Sequence, residues 1–470
     1  MIDKLFGFLK NNKAPERKKQ VVARFDSASR TGENQKHWLN ADSLSADAAA
    51  NYETRKVLRE RSRYETSNNC YAFGVLETVA DYTVGSGAKL QVLTDNKDLN
   101  AQIESDFTEW AETIHLADKL RIARIAKCRD GEVFIRIGTN PNLQNEVQLD
   151  VRLIEADQVT NNDVFQAENF VDGIVYDQYG NPKEYHILKH HPGSDDIKFN
   201  PLDYERVPAK FIIHYAYLNR PGQHRGIPEI TPALPLFAQS RRYTLATLSA
   251  AEAAADFAAV IYTDNPVNGE SADLEPLDSI QLDKNMAVTL PEGWKLGQMD
   301  AKQPTSTYRE FSNQMLHEMA RCFKMPFCLV YGDFGGSNYA SGRMDFQTFY
   351  KTIQVEQKVI ISKILNPIFK EWFKEYRLVK GINENNKILH SWFWDGLEHV
   401  DPAKEANASD TRLRNCTSTY AQEFAKQGKD WEKEFLQISL EKKRMQELGI
   451  CGEDITQESK KSQEEEVEDA

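Results

Sequence analysis

The chain has 470 residues, with 71 Asp/Glu against 58 Lys/Arg for a net charge of −13, and 40% of its residues are apolar. Its 24 glycines and 17 prolines, about 9% together against roughly 12% in average proteins, exclude a collagen-like or generally disordered chain. No run approaches ~18 consecutive apolar residues and the stretch Met1–Leu9 is too short for a secretory core, so a spanning helix is excluded and a soluble intracellular protein is expected. Length allows about three domains of ~150 residues or one large composite subunit.

Charge is unevenly distributed. Residues 1–40 carry nine Lys/Arg against four Asp/Glu, residues 453–470 carry two against eight, and the segment between them holds a net −12. A DNA-binding protein of the usual kind presents a basic face that displaces counterions from phosphates, and this balance argues against tight binding of that sort. It is compatible with a conduit through which DNA slides, and equally with charge that only keeps a large protein soluble.

Residues 1–51 lack sustained periodicity and read as a flexible basic arm. From Tyr52 the pattern is helical: Arg55, Lys56, Arg59, Arg61 and Arg63 lead into an apolar helix carrying Tyr71, Val75, Leu76, Val79 and Ala80, stopped by Gly85-Ser86-Gly87. A second helix is predicted over about 98–127, with Ile103, Phe107, Trp110 and Ile114 on its apolar face. Between Glu132 and about Tyr217 the period changes. Short β-type runs at 133–137, 147–153, 174–176, 185–188 and 211–215, with a hairpin turn from Asp177 to Pro182, predict a mostly antiparallel β-rich domain.

Pro228, Pro232 and Pro235 then open a helix from Leu236 to Ala259, in which eight of the fourteen residues 246–259 are alanine. A helix so poor in side-chain bulk suits either ordinary tight packing or repeated copies laid side by side. Strands at 259–263 and 286–290 enclose a short acidic section. A helix from about Thr305 follows, with Phe311, Met315, Met319 and Phe323 at helical spacing before Pro326. After it come the Gly-rich loop Tyr331–Arg343, a long helix from about Asp345 to Arg377, a tryptophan-rich strand at 390–394 and Ala/Glu/Lys-rich helices through Leu448. The acidic end is expected to be disordered. The fold class is α+β.

Enzymatic signatures are sparse. Asp333-Phe334-Gly335 spells a kinase magnesium motif without the rest of the kinase set, and neither G-x-x-x-x-G-K-[ST] nor G-x-S-x-G occurs. His317-Glu318 lacks the second histidine of a zincin helix, and His190-His191 reads as a solvated pair in a turn. The six cysteines form no C-x-x-C pair. No catalytic residue, metal site or cofactor is predicted. The loop at 332–342 is a candidate for contact with an elongated polyanion, because its glycines allow close backbone approach while Ser337, Asn338, Tyr339 and Ser341 offer neutral hydrogen bonds to phosphate; a plain flexible surface loop is the equal alternative.

Four segments carry a resemblance. Leu58-Arg59-Glu60-Arg61-Ser62-Arg63 with Asn68-Asn69 and Val84-Gly85-Ser86-Gly87, Arg220-Pro221-Gly222-Gln223-His224-Arg225-Gly226-Ile227-Pro228, Ser337-Asn338-Tyr339-Ala340-Ser341-Gly342-Arg343 and Val400-Asp401-Pro402-Ala403-Lys404-Glu405-Ala406 are similar to motifs of lambda-type phage portal proteins. The second matches that family's R-x-G-Q-x-R-G-[VI]-P segment most specifically. The third departs from N-Y-S-S-x-R by Ala340 and an extra glycine.

The resemblance implies a homo-oligomeric ring of about a dozen subunits at one vertex of a phage or prophage capsid, located in the virion and in the host cytoplasm during assembly. It implies a head–tail connector through which double-stranded DNA is packaged and ejected. Its partners would be the terminase large subunit, the major capsid and scaffold proteins and the neck or adaptor proteins, with no membrane and no catalysis. Mapped by order, 1–51 is the arm, 52–228 and 346–395 the wing, 229–259 and 305–327 the stem helices, 260–304 the clip, 328–345 the tunnel loop, 396–452 the helical crown and 453–470 the tail. The implied site residues are Gly335, Gly336, Ser337, Asn338, Tyr339, Ser341 and Arg343 in the DNA-channel loop. Asp273, Glu275 and Asp278 would dock terminase at the clip, and Ala250 and Ala254 would pack the stem. The competing class is a soluble nucleic-acid-processing enzyme with a dispersed carboxylate site.

Overall fold

A computed structural model describes residues 36–160, 169–195, 200, 203–256, 260–263, 294–297, 307–335, 339–382, 388–396 and 402–449. A short helix α1 (Ala46–Ala49) leads into α2 (Tyr52–Asn68), whose start is fixed by the Asn51 side chain accepting from the Thr54 amide at 2.9 Å. Asn69 both ends α2 and caps α3 (Cys70–Val84), satisfying amides the first helical turn leaves orphaned. Strand β1 (Lys89–Val92) follows.

The helix expected over 98–127 is two helices, α4 (Lys97–Thr113) and α5 (Leu116–Asp130). They break at Ile114–His115, where His115 takes a left-handed conformation with φ 53°. The turn lets the apolar faces of both helices enter one core, and the Trp110 indole N–H donates to the Leu149 carbonyl at 2.8 Å.

All strand pairings among the described residues are antiparallel, as the sequence predicts. β2 (Glu132–Thr139) is central in a three-stranded sheet between β3 (Leu149–Glu155) and β8 (Ile212–Ala216). β4 (Phe170–Val171), β5 (Ile174–Tyr176), β6 (Pro182–Leu188) and β7 (Tyr204–Pro208) form a second sheet in chain order. The β5–β6 turn is the predicted one, with the Asp177 carboxylate accepting from the Tyr179 and Asn181 amides at 2.8 Å each. A small core of Phe134, Ile154, Ile174, Tyr185 and Ile187 joins the two sheets.

The alanine-rich helix α6 spans Leu234–Asp256. Strand β9 (Val260–Thr263) pairs with β10 (Trp294–Gly297), while the strand predicted at 286–290 lies outside the described residues. Helix α7 (Thr307–Phe323) returns along α6 and places Met315, Met319 and Phe323 in a core with Val75, Val79, Phe237 and Phe349. Helix α8 (Phe327–Tyr331) follows Pro326.

The long helix begins at Tyr339, earlier than expected, and is not continuous. Helix α9 (Tyr339–Ile360) passes through a π-helical turn at Ile361–Leu365 into α10 (Asn366–Lys380). Pro367 explains the interruption, because its missing N–H cannot close an ordinary i→i−4 bond and a wider turn absorbs the gap. This helix joins two cores. Phe349 and Ile353 belong to the one around α3 and α7, whereas Ile364, Ile368 and Trp372 belong to the one around α4, α5 and β2. β11 (His390–Phe393) pairs with β1, and helices α11 (Pro402–Arg414), α12 (Tyr420–Lys426) and α13 (Trp431–Glu447) complete the described chain. Among the described residues no helix is long and apolar enough to cross a membrane.

Candidate functional site

The α6–α7 hairpin is held by aromatic contacts where α7 begins, opposite the middle of α6. The Tyr243 and Tyr308 rings stack at 5.4 Å, Phe311 meets Tyr243 edge-on at 4.8 Å, and the Thr244 and Tyr308 hydroxyls lie 3.2 Å apart. Beyond that clasp α6 is poorly covered: Leu245 is 59% and Leu248 55% exposed, and Ala250 is exposed with them. Ala254 lies on the last turns of the same helix, with its side chain outside the described set. A two-helix arm with a thin, half-apolar outer face is therefore open to lateral contact.

The candidate channel loop is shorter than its sequence suggests. Residues 327–331 are helical, Gly332 ends that helix in the left-handed region with φ 76°, and α9 already starts at Tyr339. Tyr339, Ser341 and Arg343 thus belong to the first turns of a helix, not to the loop. The sequence between Tyr339 and Asp345 contains one glycine and no proline, which a helix tolerates. Gly335 is exposed, and its amide donates to Asp333 Oδ1 at 2.8 Å, so the Asp333-Phe334-Gly335 triplet folds on itself as a local turn. Phe334 is exposed and lies parallel to Phe346 at 6.5 Å. Arg343 is exposed on α9. Gly336, Ser337 and Asn338 lie outside the described residues, as do Asp273, Glu275 and Asp278.

The arginines of α2 do something composition does not reveal. Arg55, Arg59 and Arg63, spaced by four, share one helix face. Arg55 pairs with Asp172 at 2.9 Å and Arg59 with Asp157 at 2.9 Å, while Arg63 reaches Asp130 and Asp157 at 2.6 Å each. Burial alone would raise the Asp157 pKa, but the Arg59 and Arg63 guanidinia overcome it and hold the carboxyl below the usual aspartate value. These cations clamp the helix to the sheets and are not a basic face for nucleic acid. Only their four-residue spacing was readable, because their partners lie about a hundred residues downstream.

The segment Arg220–Pro228 is a second clamp. Glu132 is fully buried at the start of β2, and its carboxylate takes Arg225 Nε at 2.8 Å, the Gly226 amide at 2.8 Å and His214 Nε2 at 2.8 Å. Burial would push the Glu132 pKa up, but Arg225 and His214 bring it well below the ordinary glutamate value. Burial lowers the His214 pKa in spite of Glu132, and its ring stacks on Phe134 at 4.4 Å. Arg225 also donates to the carbonyls of Ala156, Val159 and Asp172. Gln223 closes the turn by accepting from the Asn219 amide at 3.0 Å and donating to the Arg225 carbonyl at 2.7 Å. His224 binds Asp47 through its amide at 2.9 Å and its ring at 2.6 Å, which pins α1 in place. Glycine is required at 226, since a Cβ there would collide with the Gly131 carbonyl.

A third buried network joins α5, α9 and the chain before α6. Arg124 meets Glu229 at 2.9 Å, Lys127 meets Glu356 at 2.6 Å and Glu229 at 3.6 Å, and the Tyr215 hydroxyl donates to Glu356. Arg124 and Lys127 hold Glu229 below its usual pKa against the opposing effect of burial.

Glu155, Asp157 and His191 form a grouping with metal-ligand potential among the described residues. His191 is thus not free in solvent: its Nε2 lies 3.1 Å from Glu155 Oε2. The Arg63 guanidinium already sits on this group, 2.6 Å from Asp157 and 3.4 Å from Glu155, where a cation would have to go.

A family model described as phage portal protein, lambda family, matches residues 31–357. A protein of Halomonas phage phiHAP-1 called a probable portal protein is 24% identical, with 93% of this chain and 89% of that protein covered. Among solved structures, a chain from the neck of an empty gene transfer agent particle computed with C6 symmetry is 14% identical with a TM-score of 0.47, covering 74% of this chain and 86% of that one. A chain from the neck of the native particle computed with C12 symmetry is 13% identical with a TM-score of 0.46, covering 76% and 88%. The family match runs through the α2 arginine clamp, both sheets, the Arg220–Pro228 clamp and the α6–α7 hairpin into α9, and the chain belongs to the lambda family of phage portal proteins.

Proposed function

We propose that this portal protein acts as a closed ring of about a dozen copies, joined by heterologous interfaces, that forms the DNA channel of a capsid vertex and takes no part in catalysis. The family match over residues 31–357 carries this reading. The exposed Leu245, Leu248 and Ala250 on α6 support it, since a thin helix with an apolar outer face suits lateral packing of identical hairpins. In this reading α6 and α7 are the stem, 260–304 the clip that docks terminase and later the neck, 332–343 the lining of the channel, and α11–α13 the crown. Double-stranded DNA passes without sequence preference. The buried carboxylates Asp130 and Glu132 and the half-buried Asp157, Glu229 and Glu356 each face an arginine or lysine, which favours a structural use over a dispersed acid–base site. Negative-stain microscopy of the purified chain, alone and with capsid partners, is the test. Rings with an axial hole are expected, and a persistently monomeric particle under both conditions would overturn the reading.

A further inference from the structure

A cavity of about 380 Å³ opens between α3, α5, the end of α7 and α9. Arg124, Glu229 and Glu356 line it, and with Lys127 behind them they form a network in which two cations and two carboxylates balance. Two more cations stand at its mouth. Lys324, held at a left-handed φ of 55° just past α7, and Lys351 on α9 both line the cavity, and neither has an ion-pair partner among the described residues. Within the wall, Arg124 is 7% exposed, yet its buried Nε has no hydrogen-bond partner. The rim is partly apolar, with Val355 60% exposed.

We infer that this cavity is a socket for an acidic segment of a second copy of the chain, whose carboxylate sits between Lys324 and Lys351. The inference rests on the ring reading. Charge complementarity selects the occupant: the site is locally positive in a chain of net charge −13, and acids such as Glu109 and Glu112 on α4 are exposed and unpaired among the described residues. A concave cavity between packed helices fits an inserted side chain better than the convex backbone of a duplex. The cavity's own carboxylates are already engaged by Arg124 and Lys127, so the same surface on another copy cannot fill it. A different face must do so, which is a heterologous contact.

The test compares wild type with Lys324→Glu/Lys351→Glu and Lys324→Arg/Lys351→Arg by sedimentation velocity over a concentration series at low and high salt, with far-UV circular dichroism to verify folding. The reversal is expected to raise the concentration needed for assembly at least tenfold at low salt, and the arginine variant to assemble like wild type. A folded reversal variant that assembles like a ring-forming wild type would overturn the socket alone. Normal assembly with loss of nuclease-protected DNA in capsids would overturn it in favour of a phosphate contact. A wild type that never assembles would overturn the socket and the ring reading together.

Discussion

The Arg225 guanidinium, itself only 2% exposed, reaches Glu132 on one side and three backbone carbonyls on the other. Removing one partner of such a group strands a buried charge, so Arg225→Met is expected to cost about 3–5 kcal/mol, measured by urea denaturation. The same cluster sets an acid sensitivity. His214 has a folded pKa below its usual 6.5, so between those values the unfolded chain binds a proton the native one does not, and stability falls as pH drops below about 6.5. Glu132 and Asp157 are depressed carboxylates, whose contribution is present above their ordinary values near 4 and is lost as pH falls through the folded ones. Urea midpoints measured from pH 7.5 to 3 should therefore show two declines. In His214→Gln the upper decline should be absent.

At the scale of elements, sequence periodicity gave β2, β3, β5, β6, β8, β9 and β11, the hairpin turn and helices α6 and α7 close to their observed limits, but missed β1, β4, β7 and β10. Boundaries set by a single backbone angle were harder to read. His115 in the left-handed region splits one predicted helix into two, and nothing in its residue type demands that. Gly332 marks the end of α8, but the start of α9 at Tyr339 was obscured by the glycines on either side of it. The arginine clamp was illegible for another reason: Arg55 and Asp172 are 117 residues apart, and only the fold brings them together. Replacing Ala250 and Ala254 with leucine should overpack neighbouring stems and reduce ring closure, at a cost of about 1–3 kcal/mol per interface, and negative-stain images would show partial or absent rings. Deleting Phe334–Ser341 should spare ring assembly but abolish packaging or retention of full-length DNA, read by nuclease protection. Normal amounts of protected genome would leave this loop and the first turn of α9 without a role in the channel.

For the whole molecule, charge separates two kinds of surface. Inside, arginines and carboxylates neutralise one another, so the chain's net −13 falls mainly outside, and under the proposed reading that charge suits passage of DNA better than its capture. The segment 260–304 is acidic in sequence, and the docking proposed for it should depend on salt. Reversing Asp273, Glu275 and Asp278 to lysine is expected to leave rings intact while weakening terminase binding severalfold in a pull-down titration at low salt. Unchanged binding would place the docking surface elsewhere.

The π-helical turn at Ile361–Leu365 has a consequence for how this chain tolerates change in length. Successive residues of an α-helix are rotated by about 100° around its axis, so a helix that must serve two cores is a two-toothed key whose teeth are cut at a fixed angle. Phe349 and Ile353 form one tooth and Ile368 and Trp372 the other, and the wide turn between them sets the offset. Loss of one residue from 361–365, ordinarily a mild lesion on a surface, would swing the second tooth out of its lock and leave the core around α4, α5 and β2 unable to close on the one around α3 and α7.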